Sequence, residues 1–302
     1  MLIEYLKILL PVAVIFFAFL PPTALLLFAH RLRMQRKTPL TKDLLRPPGH
    51  SLRLVYDELR EKIDMYLVMT IILPVTGLSA YLLWDQSKSE PIVTAVAISL
   101  AILFWELLLL WLMWKSVRKA HQIRVGLDGE MAVAEELNLL MLEGCRVFHD
   151  VPIEYGNIDH VVVSPSGVFA IETKTVTKLP EKGMNAKVSV DSKSNVIHFP
   201  NFDFKINLDQ VETQVRCLTD FLSESTGDQI QVKPIIVIPG WYVERTFGQQ
   251  KVRVINPALA RQYLCTSTKK LNNEQIQRIV FQLNRICRDV EPSLKHKQET
   301  LS

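Results

Sequence analysis

Asp159, Glu172 and Lys174 flank a short turn, Ser164-Pro165-Ser166-Gly167, in the second half of the chain. Apolar runs on either side predict strands over 157–163 and 168–174. Strand side chains alternate between faces. Asp159, Val161 and Val163 therefore share one face of the first strand, and Val168, Ala170, Glu172 and Lys174 share one face of the second. If the four-residue turn sets Val163 opposite Val168, Asp159 falls opposite Glu172. Carboxylates so placed have Cβ atoms about 5 Å apart. At an effective dielectric of about 20 their repulsion is about 3 kcal/mol. A proton or a cation must bridge them, because Lys174, one pleat along, neutralises only part of the charge. Two carboxylates, waters and a carbonyl oxygen suit a hard divalent ion, Mg²⁺ or Mn²⁺. A rival register exists: a bulge at Gly167 would shift the pairing by one residue and turn Glu172 to the other face.

Further polar side chains belong to the helices that must support these strands. A helix is predicted over 126–142, ended by Gly144, with Glu130, Ala134, Leu137 and Met141 on the stripe facing the sheet. An acid on such a stripe is unusual. Its ordinary explanation is an acid in the first helical turn, complementing the dipole. Glu135, Glu136 and Glu143 read as solvated. A second helix over 207–223 carries a core stripe of Val211, Val215, Leu218 and Leu222. Gln210 and Gln214 stack one turn apart to one side, where amides can reach a phosphate or a water, or simply face solvent. His160 alternates onto the face opposite Asp159 and reads as a structural histidine. Lys178, Lys182, Lys187 and Lys193 scatter over a loop-rich insert and read as solvated.

The remaining elements complete an α/β pattern. Strands are expected over 145–153, 233–239 and 252–255, and a hairpin over 187–199 turning at 192–195. Short helices are expected over 257–264 and 273–288, followed by a polar tail. Strands and helices alternate without repeats, which predicts a mixed β-sheet flanked by helices. Cys145, Cys217, Cys265 and Cys287 are widely spaced and form no zinc-ligand pattern, so they read as reduced thiols.

The first half differs in kind. Residues 1–124 carry 15 Lys/Arg against 9 Asp/Glu, and residues 125–302 carry 20 against 22. The overall charge of +4 therefore belongs to the first half and is no argument for nucleic-acid binding by the second. A hydrophobic share of 48% excludes a disordered chain. Three apolar stretches, 8–29, 65–84 and 91–114, are long enough to span a bilayer as helices. Pro21 and Pro22 interrupt the first. Nine Lys/Arg lie in 30–64 and one in 85–90. The positive-inside rule then puts the N-terminus outside and 30–64, with everything after 115, in the cytoplasm. Leu52, Val55, Leu59 and Ile63 recur at helical spacing behind Ser51, a candidate N-cap, and fit an amphipathic helix on the inner leaflet of the lipid bilayer. Glu106, inside the third stretch, is the one acid there. It either marks a transport path or bonds to a neighbouring helix. The expected organisation is a first span within 1–29, a basic loop over 30–64, two spans within 65–114 and a linker over 115–125. An α/β domain over 126–240, C-terminal elements over 241–292 and a tail over 293–302 follow.

Gly126-Leu127-Asp128-Gly129-Glu130, then Asn157-Ile158-Asp159-His160-Val161-Val162-Val163, then Gly167-Val168-Phe169-Ala170-Ile171-Glu172-Thr173-Lys174 resemble the nuclease-related domain, NERD, of the PD-(D/E)xK nuclease superfamily. The resemblance covers about 125–240. Ile158 stands at the superfamily's proline, and Asn207-Leu208 stands where the family has Asn-Pro, which leaves Gln210 or Gln214 to supply the family's glutamine. The resemblance implies a restriction-endonuclease-like core and Mg²⁺- or Mn²⁺-dependent phosphodiester hydrolysis. Asp159, Glu172 and the Thr173 carbonyl would hold the metal, with Glu130 joining directly or through water. Lys174 would orient or deprotonate the attacking water. The implied partner is nucleic acid, DNA ahead of RNA, met by an enzyme anchored in a bacterial inner membrane. A non-cleaving module of the same fold is the alternative.

Overall fold

A computed structural model describes residues 24, 25, 28, 40–83, 91–178, 186–191, 194–244, 251–265 and 269–292. Most of the first apolar stretch, Lys182, Lys193 and the 293–302 tail lie outside the described residues. Contacts group the chain into two units, one built on 57–120 and one on 43–56 with 121–290.

The first unit contains most of helix α1 (His50–Leu83) and the first part of helix α2 (Pro91–Leu139). Among the described residues, two helices are long and apolar enough to cross a membrane, His50–Ser79 and Ile92–Glu143, whose most apolar 18-residue stretches have mean hydropathy 1.3 and 2.4. They meet at Gly77, where a Cβ would lie 2.6 Å from Ile102 Cδ1, so the close approach depends on the missing side chain. Glu106 Oε1 is enclosed without a hydrogen-bond partner among the described residues. The helix expected behind Ser51 and the apolar stretch from 65 are continuous in α1, and the expected linker over 115–125 is helical within α2, with the boundary between the two units falling inside it, after Ala120. Neither junction contains Gly or Pro, and a change from apolar to charged side chains alters a helix's surroundings without ending it.

The second unit is built on a five-stranded sheet in the order β1-β2-β3-β7-β9. Its strands are β1 (Arg146–Ile153), β2 (Gly156–Ser164), β3 (Gly167–Thr173), β7 (Val232–Val237) and β9 (Arg253–Ile255). The first three are antiparallel and the last three parallel. A second sheet, in the order β6-β5-β4-β8, joins β4 (Lys187–Asp191), β5 (Val196–His198), β6 (Asp203–Lys205) and β8 (Tyr242–Val243). The last two were not anticipated from sequence; strands of 3 and 2 residues carry too little periodicity to register. Helices α3 (Leu208–Thr226), α4 (Ala260–Leu264) and α5 (Asn273–Cys287) complete the unit.

Alternation along the strands sorts the core into layers. Val161, Val163, Val168 and Ala170 meet Leu218 and Leu222 of α3 and Ile279 and Leu283 of α5. On the other face, Val162, Phe169, Ile171 and Ile235 meet Val133 and Leu137 of α2 and Leu264 of α4. After Leu139 the chain tightens into a 3-10 turn ended by Gly144 at φ 85°. That turn buries Leu140 and leaves Met141 exposed, where a continued α-helix would have placed Met141 inward. The thiols of Cys145 and Cys265, 120 residues apart in sequence, stand 2.8 Å apart.

Residues 43–56 belong to this second unit. Leu44 bridges to Val290, and Leu52 reaches within 3.3 Å of where a Cβ of Gly126 would be. Leu52 therefore lies against Gly126 of the folded domain. Ser51 does not cap α1 either: its N–H and hydroxyl both donate to the Asp150 carboxylate.

Candidate functional site

The β2–β3 hairpin closes with Ser164 paired to Gly167 and Val163 opposite Val168, and it continues to His160 opposite Ile171. The Gly167 bulge does not form. This register carries Asp159 and Glu172 to the open end of the hairpin, on the face shared with Val161 and Ala170. Asp159 Oδ2 accepts the backbone N–H of Thr173 at 2.7 Å. Lys174, just past the strand end, donates from Nζ to Glu172 Oε1 at 2.7 Å, and its own backbone N–H bonds to Val237 O at 2.9 Å.

Helix α3 adds the amide. Asn207 caps it by accepting from Gln210 N, which fixes the phase of the first turn. Gln214, one turn on, donates from Nε2 to Glu172 Oε2 at 3.4 Å and to Asn157 O at 3.1 Å. Gln210 is exposed, so the structure brings one of the two candidate glutamines to the acids and not the other.

Glu130 enters from α2, whose later residues pack on the opposite face of the sheet. Gly129 makes this entry possible: a Cβ there would fall 1.7 Å from Thr175 Oγ1. Glu130 is 6% exposed, and its Oε2 has no hydrogen-bond partner among the described residues. Burial, then the charges of Asp150 and Glu172, push its pKa up from 4.5 to about 7, against a smaller opposing effect of Lys174. Burial raises Asp159 well above its ordinary value, and Glu172 and Glu130 add to the shift. The Thr173 N–H and Lys174 oppose it. The three carboxylates feel one another, and a single lysine does not neutralise them.

His160 is fully buried on the other face. Its Nδ1 lies 2.9 Å from Nδ1 of His149, whose Nε2 is 3.2 Å from Asn138 Oδ1. Burial lowers both imidazoles, to about 3 for His160 and about 4 for His149. The pair is neutral and structural. Lys187 pairs with Glu244 at 3.2 Å and Lys178 lies 5.4 Å from the Trp241 ring centre, away from the acids.

Asp150 was missed by sequence reasoning. It is fully buried, with φ 48°, in the middle of β1. Arg46 Nη1, Ser51 N, Ser51 Oγ and Asn157 Nδ2 all donate to its carboxylate. Arg46 also grips Asp289 at 2.6 Å, so one of the basic residues expected only to set topology is a structural tie. An acid inside an apolar strand is the signal in the sequence, but its arginine lies 104 residues away and cannot be inferred from spacing.

Residues 125–239 match the family model of the nuclease-related domain. The matched stretch begins inside α2, five residues before Glu130, and ends just past β7, so it contains every candidate site residue. It covers less than half of the chain. No curated protein and no solved structure matches the chain. The mixed sheet flanked by helices agrees with a nuclease-like core.

Among the described residues, no three His, Cys, Asp or Glu side chains converge as a ready-made metal cage. The donor set is of another kind: carboxylates, a main-chain carbonyl and an amide. Glu130 Oε2 is enclosed and unpartnered, and burial with neighbouring carboxylates raises the proton affinity of Glu130 and of Asp159. A site short of positive charge, with hard oxygen donors, fits a Mg²⁺-like ion completed by water.

Proposed function

We propose that the chain is a membrane-anchored nuclease whose Asp159, Glu172, Thr173 carbonyl and Glu130 bind Mg²⁺ or Mn²⁺ at a scissile phosphodiester of nucleic acid, DNA ahead of RNA. The observation that carries this reading is the clustering of Asp159, Glu172, Lys174, Gln214 and Glu130 inside the stretch that matches the nuclease-related domain. The bound ion supplies polarisation of the phosphoryl oxygen and a more acidic water.

The chain's own groups do the positioning. The Thr173 N–H holds Asp159 in one orientation, and Gln214 and Lys174 hold the two oxygens of Glu172. The Lys174 ammonium, 33% exposed, is available to orient the attacking water and to offset negative charge developing on the phosphate. The two apolar helices support an anchor, and the distribution of Lys/Arg supports a cytoplasmic domain, consistent with a bacterial inner-membrane protein whose substrate is inside.

The test is cleavage of labelled DNA and RNA by the full chain in detergent micelles, with Mg²⁺ or Mn²⁺. Wild-type cleavage that falls at least a hundredfold in Lys174→Ala supports the reading. Cleavage undiminished in that variant contradicts the mechanism. Binding of nucleic acid with no cleavage under either metal assigns the non-cleaving module instead, a reading favoured by the excess of acids over bases in residues 125–302.

A further inference from the structure

The far ends of the same parallel strands carry positive charge that the acidic site does not use. β9 begins at Arg253, opposite Ile235, so residues 232–234 of β7 have no strand beside them on that side among the described residues. A cavity of about 490 Å³ opens there, lined by Phe169, Lys233, Lys251, Arg253 and Tyr263 together with neighbouring residues of β7. Its size falls within the range of about 300–1,000 Å³ typical of small-molecule sites.

The cations are held in place by aromatic rings. Lys233 Nζ lies 5.4 Å from the Phe169 ring centre, and the Arg253 guanidinium carbon lies 4.7 Å from that of Tyr263. Lys270 stands within hydrogen-bonding reach of Lys233. Burial, followed by the charges of Lys270 and Arg253, lowers the Lys233 pKa. Lys251 has Glu212 at 3.4 Å, but no carboxylate pairs with Lys233, Arg253 or Lys270 among the described residues. Three like charges crowded at a cavity repel one another unless an anion sits between them.

We propose that this cavity binds a phosphate-bearing small molecule of nucleotide size, with Lys233 and Arg253 on the phosphate and Lys270 beside them. Phosphate is the anion that such a set favours: the guanidinium offers paired donors and the ammonium groups add point charge. A half-open pocket of this volume matches a mononucleotide in size. The site is separate from the acids. Phe169 and Lys174 are five residues apart along one chain direction, about 16 Å at ~3.3 Å per residue. Phe169 also faces the opposite side of the sheet from Glu172.

The test is calorimetry on the full chain in detergent without divalent ions, titrating inorganic phosphate and, separately, adenosine 5′-monophosphate. Saturable binding of either, weakened at least tenfold in both Lys233→Gln and Arg253→Gln and retained in Lys233→Arg, is the expected result. Tighter binding of the nucleotide than of phosphate adds recognition of the nucleoside; equal binding assigns the phosphate alone. No binding of either at millimolar concentration overturns the proposal. So does affinity that falls in Lys174→Ala but not in the two cavity variants, which would place the phosphate at the acids. A response to an oligonucleotide alone, lost in Lys233→Gln, would replace the small ligand with nucleic acid. Cleavage is not read in any of these arms, so their failure and the failure of the nuclease reading are separable.

Discussion

The Thr173 N–H donates to Asp159 Oδ2 across 2.7 Å, so a side chain supplies the next rung after the His160–Ile171 pair of the β2–β3 ladder. The bond fixes Asp159 at the mouth of the hairpin with one oxygen committed to the backbone and the other available. Burial, with Glu172 and Glu130 close by, raises its proton affinity, and the Thr173 N–H offsets only part of that rise.

Gln214 and Gln210 separate function from position on a helix. Gln214→Ala removes the amide from Glu172 Oε2 and is expected to lower cleavage about tenfold, within the usual worth of one hydrogen bond to a charged group. Gln210→Ala, on an exposed side chain, is expected to leave cleavage unchanged. Initial rates of the two variants under one metal concentration check the pair.

The pKa of Glu130 links the site to stability. Folded Glu130 binds its proton more tightly than the unfolded chain does, because its pKa rises from 4.5 to about 7. Its stabilising contribution is therefore present below pH 4.5 and is lost as pH rises through 7. Asp159 acts in the same direction. Without divalent ions, Glu130→Gln is expected to be more stable than wild type at pH 8 by about 3 kcal/mol and equal to it near pH 4. Thermal melts across that range, in detergent, measure the difference. Added Mg²⁺ should shrink it by stabilising wild type alone.

At Gly129, helix α2 closely approaches Thr175 in the chain beyond β3. Gly129→Ala is expected to destabilise the chain by about 1–3 kcal/mol through overpacking against Thr175. Adding Thr175→Gly removes all three of the close atoms and should recover most of the loss. The double-mutant melt tests this contact specifically.

Asp150 holds Arg46 and the start of α1 to the sheet. Asp150→Ala leaves the Arg46 guanidinium half-paired and strips Ser51 and Asn157 of their acceptor. The expected cost is about 3–5 kcal/mol, as for other broken buried ion pairs. A fall in melting temperature much larger than that of an exposed change such as Glu212→Ala is the check.

What the sequence made legible was local. Alternation on two strands and a four-residue turn gave the register that brings Asp159 and Glu172 to one end, and helical period gave Val211, Leu218 and Leu222 as core. What it hid depends on distant partners or on helix phase. Asp150 and Arg46 meet across 104 residues, and the Cys145 and Cys265 thiols across 120. The choice of Gln214 over Gln210 depends on how α3 lies on the sheet, which its own wheel does not contain. Helices α1 and α2 run through the points where composition changes, because composition marks environment and not chain ends.

The central claim is that the acids opposed across the β2–β3 hairpin trap a divalent ion. Calorimetric titration of the full chain with Mn²⁺ at pH 8, comparing wild type with Asp159→Asn, tests it most directly. The account predicts saturable binding in wild type, weakened at least tenfold in the variant while its melting temperature without metal does not fall. Equal affinity in the two proteins, or no saturable binding in either, would contradict it.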